Sequence, residues 1–318
     1  MTFPIRLIGH ILSVVRGESL KQIPACYIIG DVNIDYVTDL AHVFVGSEPN
    51  PCFQNAIASS VGGNAVFFAE AACEAEFAKV TVLCSVGDDL AGARVLKYLK
   101  TLGIYVERSH SLRPTGQVII IYQPNDQRIM VADRGANRDF RGAVEIDWQG
   151  VQASDLLYIS GYMLLEAEQC VAVHEMAAKF RASKAKILVD IVPHDIWQTY
   201  SWQDYVKLCS GADYVAVELS TITAFHQKYS ETLQPMTAIE LLLEDFEFCL
   251  LRLNAMSDFL IADQTRHRQF TIPYRRVTAS LRFTDRVIAH VLQHYLADPN
   301  SLFESDQWIA QASQAVGG

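Results

Sequence analysis

The chain has 318 residues, half of them hydrophobic and 19% charged, with a formal charge of -10; this balance excludes a disordered chain and allows a sizeable core. The acidic balance also excludes a general phosphate-backbone binder, which works through clustered Lys and Arg, so no nucleic-acid partner is expected. No run reaches the roughly 18–20 apolar residues that span a bilayer, the opening segment lacks a small-residue cleavage site, and the cysteines are scattered and odd in number, as in reduced proteins; a cytoplasmic chain with no membrane partner is the expectation.

Residues 1–25 read as an N-terminal extension, helical because Ile5, Ile8, Leu12 and Val15 recur at helical spacing. An apolar strand over 26–30 then runs into the polar turn 31–35, a strand end of the kind where α/β proteins place ligand contacts. A small-residue helix over 64–76, a strand over 79–85 and a helix over 90–102 follow. Alternating stretches at 117–122 and 128–132 come next, split by the turn signal Pro124, Asn125 and Asp126.

After Trp148 strand and helix alternate: 156–160 and 167–180, 186–190 and 202–208, then 214–217 and a helix from Ser220. Such alternation predicts a mostly parallel sheet. A helix over 237–244, a strand over 248–253, a hairpin within 259–272 and an amphipathic helix from Thr284 to about Leu296 complete a domain over 26–300, with 301–318 as a C-terminal tail. The β-rich intervals 36–61 and 111–132 break the rhythm and are expected to form a small lid sheet over a pocket.

The order and spacing of Gly30-Asp31-Val32-Asn33-Ile34-Asp35, Gly62-Gly63-Asn64-Ala65 and Val86-Gly87-Asp88-Asp89 with Gly92 resemble the PfkB or ribokinase family of carbohydrate kinases. Arg113 to Gly116, Arg134 to Asn137, Ser160 to Tyr162 and Val189-Asp190 with Pro193 and Trp197 extend the likeness over residues 26 to 296. The resemblance implies a ribokinase-like three-layer α/β/α sandwich with a mostly parallel, doubly wound sheet and a small β lid. It also implies a sugar or nucleoside-like ligand held by Asp35, Asn33, Gly62, Gly63, Asn64 and Asn137, and a homodimer formed through the lid. A family asparagine falls at Phe67, so a polar sugar contact gives way to aromatic bulk.

Phosphoryl transfer needs a base at the attacking hydroxyl, N–H-rich or positive surroundings for the phosphoryl group, and a metal among the phosphates. The family motif Gly-Ala-Gly-Asp meets the first two needs at a helix start, and the matching tetrad here is Arg282-Phe283-Thr284-Asp285. The candidate base Asp285 is kept at the expected head of the helix, but side chains replace both glycines of the backbone cradle. Arg282 is the candidate substitute phosphate clamp. The family's Asn-x-x-Glu becomes Glu218-Leu219-Ser220-Thr221, and a Thr-x-Gly-x-x-Gly-like loop becomes the stretch from Arg252 through Asn254 to Ser257. Glu218, Arg252 and Asn254 therefore mark an altered cofactor end.

Three functions are compatible with these residues. The first is a sugar or nucleoside-like binder with weak or absent phosphotransfer and no required cofactor. The second is an active kinase using Mg-ATP, with Asp285 as base, Arg282 as clamp and magnesium held by Glu218. The third is a non-catalytic scaffold subunit. The histidines show no metal-ligand pattern beyond His290 and His294 one turn apart, and no metal site is expected. Gly87-Asp88-Asp89 also reads as a turn in which the aspartates cap the helix from Leu90.

Overall fold

The computed structural model describes residues 23–40, 56–123, 128–142, 145–192, 196–226, 232–254, 257–272 and 280–317. The expected N-terminal helix, the turn at 124–126 and Pro193 lie outside them. Nine strands form one sheet: β1 (Cys26–Ile29), β4 (Val80–Gly87), β5 (Tyr105–Ser111), β8 (Leu156–Ser160), β9 (Lys186–Ile191), β10 (Tyr214–Glu218), β11 (Phe248–Arg252), β12 (Asp258–Asp263) and β13 (His267–Thr271). Their order is β13-β12-β11-β10-β9-β8-β1-β4-β5, and only β12 and β13 run antiparallel to their neighbours. The strand at β5 carries five polar side chains among its seven residues, Glu107, Arg108, Ser109, His110 and Ser111, and its weak alternation hid it from the sequence reading.

The inner parallel strands are largely apolar on both faces because helices cover both. Cys26, Ile28, Val82, Tyr158, Leu188 and Ala216 point into one core, while Tyr27, Ile29, Leu83, Leu157, Val189 and Val215 point into the other. The first face is covered by α1 (Asn64–Glu74), α2 (Leu90–Thr101) and, from the end of the chain, a helix over Ser280–Ala297. The second receives α3 (Ala167–Ala182), α4 (Trp202–Leu208), α5 (Leu219–Phe225) and α6 (Pro235–Leu243). The long C-terminal helix is α7; α8 (Pro299–Glu304) and α9 (Gln307–Gly317) follow it. Trp308 is 1% exposed, with its indole N–H donating to the Leu302 carbonyl at 3.0 Å, so this C-terminal segment is packed as helix.

A second, four-stranded sheet has the order β3-β2-β6-β7, formed by β2 (Asn33–Asp39), β3 (Ala58–Gly62), β6 (Gly116–Tyr122) and β7 (Arg128–Asp133). Asp35 pairs with Ser60 and Val118 across this sheet. Asp89 caps α2, accepting from the Gly92 N–H at 2.7 Å, and also accepts from the Thr115 N–H at 2.8 Å and hydroxyl at 2.7 Å. One carboxylate thus holds both the helix start and the entrance to β6.

Candidate functional site

Only Gly30, Asp31 and Val32 separate β1 of the large sheet from β2 of the small one, so every group that fixes this crossing fixes one sheet against the other. Asn137, 1% exposed, donates through its amide to the Val32 carbonyl at 3.0 Å, the Asn33 side-chain oxygen at 2.9 Å and the Arg134 carbonyl at 3.0 Å. Its own side-chain oxygen accepts from the Val32 N–H at 2.9 Å. Asn64 accepts from the Asp31 N–H at 2.9 Å and donates to the Ser160 hydroxyl at 2.5 Å. Arg134 grips Asp31 with two bonds of 2.8 Å each, the planar fork matching the two carboxylate oxygens.

Gly62 and Gly63 close this end from the other side. A Cβ at Gly62 would overlap the Asp35 carboxylate, and one at Gly63, where φ is +96°, would meet the Asp31 carbonyl oxygen. Asp35 is buried, and desolvation pushes its carboxyl up to about 6 against the opposing pull of the Arg282 charge. Among the candidate ligand residues, Asn64 and Asn137 spend their amides inside the protein and Asn33 accepts from Asn137, whereas Asp35 is buried against Gly62.

The other end of the cleft centres on α7. The helix begins at Ser280, a full turn before the expected start at Thr284, so Asp285 lies within it instead of at its head. The reason is propensity: glycine costs about 1 kcal/mol in a helix relative to alanine, and Arg282 and Thr284 carry no such penalty of that size. Arg282 reaches across to α1, pairing with Glu70 at 2.7 Å and lying over the Phe67 ring at 5.0 Å. One turn on, Arg286 pairs with Glu74 at 2.8 Å. Two arginines four residues apart therefore meet two glutamates four residues apart, which fixes the register of α7 on α1. Phe283 is buried and tilts against Phe259.

Asp285 is buried beside Asp190, and desolvation followed by the Asp190 charge pushes its carboxyl well above the usual carboxylate range. Burial also pushes Asp190 up to about 7, although Tyr158 donates to it at 2.8 Å. Tyr158 stacks on Phe68 with ring centroids 3.8 Å apart. At the ends of β10 and β11, Glu218 pairs with Arg252 at 2.9 Å, Arg252 donates to the Asn254 carbonyl at 3.1 Å, and Asn254 donates to Asp258 at 2.7 Å. The charge of Glu218 acts on Asp190, that of Asp190 on Asp285, and that of Arg282 on both Asp285 and Asp35, so these groups are close enough to feel one another. Among the described residues no group of three or more His, Cys, Asp or Glu side chains could hold a metal ion. His290 is buried with its Nε2 lacking a hydrogen-bond partner among the described residues, and burial lowers it to about 4, while His294 bonds Gln311 at 2.8 Å.

A family model described as pfkB family carbohydrate kinase matches residues 25–241. The chain belongs to the pfkB family. No curated protein sequence matches this pfkB chain. Among solved structures it is similar to adenosine kinase from Sinorhizobium meliloti, at 14% identity and a TM-score of 0.74, covering 93% of this chain and 95% of that one. It is also similar to Arabidopsis thaliana ribokinase complexed with ribose and ATP, at 16% identity and 0.70, covering 93% and 94%. Ribokinase from Giardia lamblia matches at 19% identity and 0.68, covering 92% and 91%. These likenesses establish the ribokinase-like α/β fold.

Within this pfkB cleft the sequence reading missed Glu70 and Glu74, the partners of the altered tetrad, and the Tyr158–Asp190 pair beside Asp285. A signal for the first was present: two acids four residues apart in the otherwise apolar, alanine-rich α1 match the spacing of Arg282 and Arg286. Tyr158 had no such signal, since it reads as one more apolar residue of a buried strand. No helix among the described residues is long and apolar enough to cross a membrane.

Proposed function

We propose that this pfkB-family chain binds a sugar or nucleoside-like ligand at the Asp35 end of the cleft and has weak or absent ATP-dependent phosphotransfer. The observation that carries this reading is the uninterrupted α7 with Arg282 tied to Glu70, where phosphates need bare backbone N–H groups. Losing a single comparable oxyanion donor costs roughly 2.7–4 kcal/mol of transition-state stabilisation, so losing a cradle costs several powers of ten in rate. Asp285 supports the reading as well, because it lies buried within α7 beside Asp190 instead of at the open head of the helix. The Glu218–Arg252 pair occupies the strand ends where the second phosphate motif belongs, so the residues present do not fit a Mg-ATP triphosphate.

The test compares melting shifts in Mg-ATP and in a panel of neutral sugars and nucleosides, since a ligand that binds only the folded state raises its stability. A sugar or nucleoside response that Asp35→Asn abolishes, with no Mg-ATP response and no phosphorylated product, is expected. Product formation abolished by Asp285→Asn would establish the active kinase instead. Dimerisation through the small sheet is part of the proposal: Ile119 and Val131 are registered neighbours on that sheet, 47% and 59% exposed. Light scattering on Val131→Lys should report a monomer where the parent is a dimer.

A further inference from the structure

Beyond the Asp35 end, the molecule has a second cleft of about 350 Å³ between β3 and α2, lined by Ser59, Ser60, Arg94, Lys97, Tyr98 and Arg282 among others. Three of these side chains are cationic and, among the described residues, no carboxylate lines the space, on a chain whose overall charge is -10. Glu70 is engaged by two of the lining side chains, Arg282 at 2.7 Å and the Tyr98 hydroxyl. Arg94 donates to the Ser59 hydroxyl at 2.9 Å and to the Ser59 carbonyl at 2.7 Å, which fixes its guanidinium at the cleft wall. Lys97 is exposed, one turn along the same helix face. The volume lies within the range of small-ligand sites, roughly 300–1,000 Å³.

We infer that this cleft is a binding site for the phosphate group of a small phosphorylated ligand, held by Arg94, Lys97 and Arg282 with the Ser59 and Ser60 hydroxyls as further donors. A phosphate monoester carries close to two negative charges at neutral pH and accepts several charge-assisted bonds, which a fork, an ammonium and a second fork supply. A neutral sugar gains nothing from three cations, and a carboxylate offers half the charge. Arg94 already clasps β3, and β3 ends at Gly62 against Asp35. An anion bridging Arg94 and Lys97 of α2 to Ser60 of β3 therefore fastens the small sheet to the body.

Calorimetric titration of the full chain with orthophosphate and with ribose 5-phosphate, at ionic strength matched with chloride, tests the site. Binding of both anions is expected, weakened about tenfold in Lys97→Ala, an exposed position whose change leaves folding intact, and abolished in Lys97→Glu. Asp35→Asn should leave the orthophosphate affinity unchanged. No orthophosphate binding above the chloride control, an affinity indifferent to Lys97→Glu, or an affinity lost with Asp35→Asn would each overturn the inference. Binding of ribose 5-phosphate through Asp35 alone would do the same. Failure here leaves the neutral-ligand response of the Asp35 end standing, so the two readings fail separately.

Discussion

The two ends of the cleft achieve rigidity by opposite means. At the Asp35 end, small residues are kept small: Gly62 and Gly63 allow the backbone to lie against Asp35 and Asp31, and neutral amides stitch the loops together. At the Asp285 end, bulk and charge fill the space, with Arg282 and Arg286 bridging α7 to α1 and Phe283 driven into the core. On the proposed function, helix continuity and two ion pairs turn an anion cradle into packing while the neighbouring ligand end keeps its shape.

The sharpest way to break this comparison is at Gly63. A side chain there meets both a positive φ and the Asp31 carbonyl, so Gly63→Ala should cost about 3–5 kcal/mol in urea denaturation. A loss below about 1 kcal/mol would mean that the glycine end tolerates bulk after all. At the opposite end, Arg282→Met should cost about 3 kcal/mol by stranding Glu70, and adding Glu70→Gln should recover most of it. Additive losses in that double variant would show that the pair is not the clasp.

The next effect is read through pH. Asp190 titrates near 7 when folded and near 3.8 when unfolded, so the folded chain holds the extra proton between those values. Its contribution is greatest at low pH and drains away as pH rises through about 7. Asp190→Asn, which still accepts from Tyr158, should therefore be about 2 kcal/mol more stable than the parent at pH 8 and equal to it at pH 4. Identical pH profiles would contradict this. The smallest change expected is Glu168→Ala, which removes an exposed partner of Arg141 and should stay within about 0.5 kcal/mol.

Much of the fold was legible because parallel strands buried on both faces leave continuous apolar runs, as at 80–86 and 156–160. Asp89 as a helix cap was legible from its place before Leu90. What escaped depends on contacts distant in sequence. The partner that seats Arg282 of α7 on α1 is Glu70, more than two hundred residues earlier. The amides of Asn64 and Asn137 illustrate a further limit, since a residue type suited to bind a sugar is equally suited to tie loops, and only partners at 2.5–3.0 Å reveal which use prevails.

The helices beyond residue 299 also bear on how the molecule comes into being. Leu302, Trp308 and Ala312 share one core with Cys26 and Ile28 of the first strand, and Trp308 meets the Phe270 ring edge-on at 4.7 Å. During synthesis that face of the nascent chain stays unroofed until these residues have left the ribosome, so a stalled or clipped product would present a greasy flank to chaperones and to its own copies.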